Sequence, residues 1–388
     1  MHAGKTVFAQ LMDFIPTNEF HCCVNRYRGD YKVTNFSCWD QFLSMAFAQL
    51  TGRESLRDIE TCLRALGSRL YHLGFRGHIA RSTLADANER RNFRIYADLA
   101  HVLIAETRRL YAGEDFGVEL AQTAYALDAT TIDLCLSLFP WARYRAQNAG
   151  VKMHTLLDLR GNLPVYIDGK PAKIHEIHTF EELVLEPESI YILDRGYLDF
   201  ERLYRLQQAL AFFITRARKD FRFRLLASSP IDKSIGLRCD QTIRLKSFYP
   251  AKSYPAPLRR IRYRDADTEK SFVFLTNNFR LPTLTTAQLY KCRWQVELFF
   301  KWVKQHLHIK AFYGLSPNAV KTQIWIAISV YVLLANVRRR LGLEVSLYTM
   351  AQILSLTLFE KMPLLQALSH INDSDGSANV CNQLNLFN

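Results

Sequence analysis

The sequence predicts a mixed α/β protein, a helix-flanked sheet behind a helical N-terminal domain, and three observations carry that expectation. Up to about residue 110 the apolar residues recur at helical spacing, and the segments stop at Gly52 and Gly67. From about residue 120 the period shortens, first in a hairpin pattern and then in strands that alternate with helices. A composition that is 49% hydrophobic, with 25 Phe and 18 Tyr in 388 residues, supplies core for two or three domains.

Taken in order, Cys38 to Leu50 is apolar at helical spacing, and Ser55 to Leu66 opens with a cap-like Ser-x-x-Asp. A further helical segment runs from Ser82 to Leu110, with Arg81, Arg90, Arg91 and Arg94 crowding its start. Short helices joined by Gly turns and followed by an Arg-rich start fit a helix-turn-helix-like DNA reader, as they also fit any small helical bundle. Thr123 to Leu127 reads as a short strand ending at Asp128, and Leu136 to Phe139 as a second apolar run broken by Pro140. Val151 to Leu157 and Leu163 to Ile167 read as strands around an Arg160-Gly161-Asn162 turn. After a helical interlude near Thr179 to Leu185, the apolar strand Ser189 to Leu193 also ends in an acid, Asp194. Phe200 to Leu210 is helical and Phe212 to Thr215 is a strand.

Between residues 216 and 270 the chain carries fifteen Lys and Arg against six acids. Alternating pieces at Gln241 to Lys246 and Leu258 to Tyr263, set between prolines, predict a basic β-rich insertion before the apolar strand Ser271 to Leu275. Thr322 to Arg338 is apolar enough for a core helix, and the tail from Asn372 is polar and expected to be disordered. The expected organisation is a helical domain over 1–115, a catalytic domain over 120–345 interrupted at 216–275, and a C-terminal helix and tail over 346–388.

A formal charge of +13 and a pI near 9.4 point to an acidic partner, nucleic acid first. Eight cysteines are scattered with no C-x-x-C pair, which fits reduced thiols in a cytoplasmic protein. No signal-like run follows Lys5, and the longest apolar stretch, Ile324 to Ala335, is short for a bilayer, so no membrane role is expected. No P-loop or G-x-G-x-x-G occurs, so no nucleotide cofactor is expected, and His175 and His178 lack the H-E-x-x-H spacing of a zinc protease.

The chemistry concentrates in Tyr290 to Lys304, YKCRWQVELFFKWVK, a stretch without Gly or Pro. At about 100° per residue, Tyr290, Arg293, Glu297, Lys301 and Lys304 share one narrow stripe of a single helix. One acid among a Tyr, an Arg and two Lys on a largely apolar helix is unlike a solvated face. It reads as one metal ligand held beside a polyanion. Asp128 and Asp194 supply two more carboxylates at strand ends, and three such groups are hard oxygen donors suited to Mg²⁺ or Mn²⁺. Asp133, Asp158 and Asp199 are nearby acids better explained as turn or helix-surface residues.

The spacing Tyr290, two residues, Arg293, three residues, Glu297, six residues, Lys304 resembles the signature of DDE transposases of the insertion-sequence-four family. The words LDATTID around Asp128 and LDRGY around Asp194 match as well. The resemblance implies a ribonuclease-H-like catalytic core in which Asp128, Asp194 and Glu297 hold two Mg²⁺ (or Mn²⁺) ions. It implies double-stranded DNA as partner, namely terminal inverted repeats and a target, with strand hydrolysis followed by joining of 3′-hydroxyls. A homodimer in the synaptic complex and a cytoplasmic, nucleoid-associated location follow from it. Tyr290, Arg293, Lys304 and Lys301 would grip DNA, and Lys152 and His154, in VKMH, resemble a segment lining the same cleft. Some relatives stack a flipped base on a Trp of the insertion; here all five Trp lie outside 216–270, and Phe248, Tyr249 or Tyr254 could take that role. That departure leaves the hairpin route open. Two alternatives stand beside this reading: a metal-dependent nuclease of the same fold, and an inactive, transposase-derived DNA-binding protein.

Overall fold

The N-terminal helices begin where the sequence offers caps. The computed structural model describes residues 4–145, 147–172, 180–218, 222–266, 268–306 and 312–369. It falls into one unit of Met1–Leu103, His306–Gly314 and Asn318–Asn388 and another of Ile104–Gln305 with Leu315–Pro317. In the first unit α1 (Val7–Met12) is capped by Thr6 and followed by α2 (Thr17–Arg26). α3 (Cys38–Leu50) starts in a capping box of Ser37 and Asp40, and α4 (Leu56–Ala65) starts at Ser55, whose hydroxyl accepts from the Asp58 amide.

The helical segment expected from Ser82 is two helices, α5 (Arg81–Arg90) and α6 (Arg94–Tyr111), because Arg91 is extended at φ −72°, ψ 137°. Its guanidinium turns back to the carbonyls of Phe36 and Ser37, while the Asn318 amide donates to the carbonyls of Asn88 and Arg91 at 2.9 and 2.7 Å. Those bonds satisfy the end of α5 and spend Arg91 on structure.

The second unit is built on β1 (Ala124–Leu134), β2 (Ala149–Asp158), β3 (Leu163–Pro171), β4 (Ile190–Leu193) and β5 (Phe212–Arg216), with α7 (Phe200–Gln208) between the last two. The insertion adds β6 (Phe223–Ser228), β7 (Leu237–Leu245), α8 (Phe248–Ser253) and β8 (Leu258–Arg264) before β9 (Ser271–Thr276). All nine strands form one sheet in the order β3-β2-β1-β4-β5-β9-β8-β7-β6. β1 is antiparallel to β2 and parallel to β4, which is parallel to β5; this is the ribonuclease-H-like half. The insertion is not a separate layer: β9 pairs with β5, and the basic strands prolong the same sheet.

β1 is longer than expected and runs straight through Asp128. Its parallel pairing with β4 stops at Leu127–Leu193, but its ladder with β2 continues to Leu134–Ala149, through the β-branched Thr130, Thr131 and Ile132. Alternation sorts the two faces. Tyr125, Leu127, Leu156, Tyr191, Leu193 and Phe213 pack with Leu203 and Leu206 of α7 on one face. Asp128 and Asp194 belong to the other.

The signature stretch is two helices, α9 (Thr283–Cys292) and α10 (Trp294–His306), joined at Arg293. The Arg293 amide donates to the Tyr290 carbonyl at 3.2 Å and its own carbonyl accepts from Val296 at 3.1 Å, both spanning three residues instead of four. α11 (Pro317–Arg340) joins the N-terminal helices, with Trp325 5.1 Å from the His101 ring. Its length and composition would allow it to cross a membrane, yet 94% of its apolar window is buried inside the protein. α12 (Leu347–Thr357) and α13 (Leu364–Ser369) follow, capped by Ser346 in the first case. Thus α11, expected within the catalytic domain up to 345, belongs to the N-terminal unit from Asn318 onward, together with the C-terminal helices that were expected to stand apart from both domains. An all-round apolar helix needs a core on every side, and the helical unit provides it. Part of the interlude near Thr179 to Leu185, the histidines His175, His178 and His308, and the tail from Asn372 lie outside the described residues.

Candidate active site

Asp194 directly follows β4 and caps a short 3₁₀ turn, Arg195–Tyr197, its carboxylate accepting from the Gly196 amide at 3.1 Å. Asp128 sits one pleat past the end of the parallel pairing, its Oδ1 accepting from the Ala129 amide at 2.8 Å. Parity places both carboxylates on the same face and at the same end of adjacent strands. Glu297 reaches the group from the first turn of α10.

Arg293 ties the group together. Its Nη1 donates to Asp128 Oδ2 and its Nη2 to Glu297 Oε1, both at 2.6 Å, with the side chain only 15% exposed. These are short charge-assisted bonds from a planar fork. Burial works against the Arg293 charge, but Asp128 and Glu297 more than offset it and raise its pKa above the ordinary value. Burial also pushes the Asp128 carboxyl up to about 6; the Ala129 amide and Arg293 oppose this, and the charges of Asp194 and Glu297 add to it. Both acids are therefore near enough to act on Asp128. Among the described residues, however, no three acid, His or Cys side chains are gathered tightly enough to hold a metal ion as they stand.

The other expected residues divide. Tyr290 is buried at the end of α9 with its ring 4.9 Å from Phe274; burial pushes its hydroxyl up to about 12, with Arg293 opposing and Asp194 adding. Lys304 donates to the Thr131 carbonyl of β1 at 2.9 Å, which ties α10 to the strand that carries Asp128. Lys301 is exposed on α10. Lys152 and His154 are not brought to the site. They pair with Thr131 and Ala129, whereas Asp128 pairs with Thr155, so both belong to the opposite face of the sheet. His154 is fully buried there, so the expected cleft position does not hold. Of the possible stacking residues, Tyr254 is fully buried, while Phe248 and Tyr249 are 74% and 79% exposed.

Of the competing acids, Asp199 caps α7, whereas Asp158, expected in a turn, is the buried last residue of β2 and is bonded to Arg108 at 3.0 Å. One basic residue escaped the sequence reading. Arg216 ends β5 one step after the Leu193–Thr215 pairing, level with Asp194, and its charge acts on Tyr290. Its guanidinium lies 5.0 Å from the Phe272 ring. The signal was an Arg closing the strand next to the one that ends in Asp194.

Comparison with known proteins comes to the same region. Residues 119–333 match the family described as transposase DDE domain, and residues 3–76 match a domain of unknown function, DUF4372. A Sinorhizobium fredii protein named as the transposase y4zB is 32% identical over 286 residues, covering 72% of this chain and 77% of that protein. A Geobacillus stearothermophilus protein named as the transposase of insertion sequence element IS5377 is 31% identical over 54% of this chain and 55% of its own length. A solved piggyBac transposase synaptic complex with hairpin DNA is similar over 95% of this chain and 82% of that one, at 10% identity and a TM-score of 0.46.

Proposed function

The chain belongs to the DDE transposase family of insertion sequences, and from that premise we propose that it binds the terminal inverted repeats of its element, hydrolyses a strand at each end and joins the freed 3′-hydroxyls to target DNA. The observation that carries this reading is the grouping of Asp128, Asp194 and Glu297 at one end of one sheet face, with Arg293 bonded to two of them. In donor chemistry the three carboxylates fit hard divalent cations such as Mg²⁺ or Mn²⁺. Two such ions, when bound, activate a water or a 3′-hydroxyl and stabilise the leaving oxygen of the phosphodiester.

The side chains do the rest. Above a pH of about 6 Asp128 stands ionised, its charge met by Arg293. Arg293 offers a fork suited to a phosphate, Lys301 and Arg216 supply positive charge at either side, and the Tyr290 hydroxyl stays protonated as a donor. Lys304 holds α10 against β1, so that Glu297 keeps its place beside Asp128. Recognition of the element's ends falls to the first unit. There Arg57, Arg64 and Arg81 line a groove of about 390 Å³ between α4 and α5. Synapsis of two ends calls for a homodimer during the reaction, working in the cytoplasm on nucleoid DNA.

The test uses purified protein, a labelled duplex carrying the element's own end, Mg²⁺, and the Glu297→Gln variant in parallel. Expected are metal-dependent nicking and end joining by wild type, with both lost in the variant while end binding persists. Nicking without joining would point to a nuclease. Binding without cleavage by either protein would leave a DNA-binding relative with a relic triad.

A further inference from the structure

The fork of Arg293 takes one oxygen from each of two proposed metal ligands. Asp128 Oδ2 and Glu297 Oε1 each lie 2.6 Å from it, and the second Asp128 oxygen is engaged by the Ala129 amide. A cation held jointly by Asp128 and Glu297 needs the oxygens that the guanidinium now holds. It would also sit against a permanent like charge. This accounts for three carboxylates that feel one another electrostatically and yet are not gathered as a metal cage.

Arg293 is the joint between α9 and α10, with three-residue hydrogen bonds on both sides. Its rotamer can change without unwinding either helix. Tyr290 on one side and Arg216 beyond it mark where an anion would meet further donors, and the charges of Arg293 and Arg216 both act on Tyr290.

We propose that Arg293 is an exchangeable internal cation: it neutralises Asp128 and Glu297 until a divalent cation takes the acids and a DNA phosphate takes the arginine, so that metal and DNA bind cooperatively. This rests on the triad reading above and adds to it an order. Without DNA the acids are occupied and hold cations weakly. With DNA the arginine has another partner and the acids are free. Linkage makes the effect reciprocal, so bound cation raises affinity for DNA by the same factor.

The test is calorimetric and needs no turnover. Mn²⁺ is titrated into the full-length protein, alone and then with a duplex bound, for wild type, Arg293→Lys, Arg293→Gln and Glu297→Gln, after melting curves show each variant folded. Lys keeps the charge but has no fork to span both acids, so it separates bridging from bulk charge. Expected are a DNA-free Mn²⁺ affinity roughly fivefold or more higher in both Arg293 variants, and a DNA enhancement of Mn²⁺ binding that is large in wild type and much reduced in both. An Arg293→Lys protein that behaves as wild type, or Arg293 variants that bind Mn²⁺ no more tightly than wild type, would overturn the exchange. Absence of Mn²⁺ binding by wild type with and without DNA would instead sink the triad reading, and this inference with it. Equal Mn²⁺ binding by Glu297→Gln and wild type would do the same.

Discussion

At the scale of single residues, a buried ion pair within the insertion helps hold it to the signature helices. Arg259 on β8 donates to both carboxylate oxygens of Asp240 on β7, at 2.9 and 2.5 Å, and both side chains are less than a tenth exposed. The same guanidinium donates to the Leu281 carbonyl at 2.6 Å and to the Thr283 hydroxyl at 3.0 Å, at the very start of α9. Removing one partner of such a pair strands the other charge in the interior, so Asp240→Ala or Arg259→Ala should cost about 3–5 kcal/mol in chemical denaturation. Burial pushes the Asp240 carboxyl up, but Arg259 and Thr283 more than offset it and hold it below the usual range. A depressed folded pKa contributes stability that is fully present above the ordinary carboxylate value of about 3.9 and is lost as pH falls through the lower folded value. Melting curves across the acid range should therefore show a steeper acid loss in wild type than in Asp240→Asn; parallel curves would remove the pair from the account. None of this was legible in the sequence, where Arg259 counted only toward a basic surplus. Burial of a charge depends on a partner nineteen residues away across a ladder, and periodicity does not reveal pairing.

At the scale of elements, what the sequence reveals is what short-range chemistry decides. The β2–β3 hairpin was readable because Arg160-Gly161-Asn162 offers two residues tolerant of positive φ, and both adopt it, Gly161 at 74° and Asn162 at 53°. Gly161 has a second reason to be glycine: a Cβ there would lie 2.4 Å from Tyr111. Gly161→Ala should then destabilise by about 2–4 kcal/mol, combining backbone strain with overpacking. Replacing Tyr111 with Leu in the same chain should recover part of the loss, since the two changes share one contact. Additive losses in the double variant would show that the collision is not the cause. By contrast, the extension of β1 past Asp128 is fixed by pairing with β2, and the joint at Arg293 carries no Gly or Pro to announce it. Strand ends and helix spacing pointed to the triad, while the arginine bridge across it needed coordinates.

At the scale of the whole chain, the formal charge of +13 was plain from composition, but which cations face a partner was not. Arg91, Arg108 and Arg259 are spent on internal carbonyls and acids. Other cations stand where folding alone would not put them. Arg224 on β6 and Arg244 on β7 are directly opposite each other in the ladder, both exposed, and neither has an ion-pair partner among the described residues. Like charges at opposed positions destabilise a sheet by a few tenths of a kcal/mol or more, and a polyanion lying across the strands would reverse that sign. Each phosphate contact contributes about −0.9 to the slope of log affinity against log salt on duplex DNA. The double variant Arg224→Gln, Arg244→Gln should therefore melt no lower than wild type, while its salt slope for duplex binding becomes shallower by about 2. Fluorescence anisotropy at a series of salt concentrations reads the slope directly, and a melting curve on the same samples reads the stability. A variant that melts lower and keeps the wild-type slope would mean that these arginines support the sheet and leave DNA to other parts of the chain.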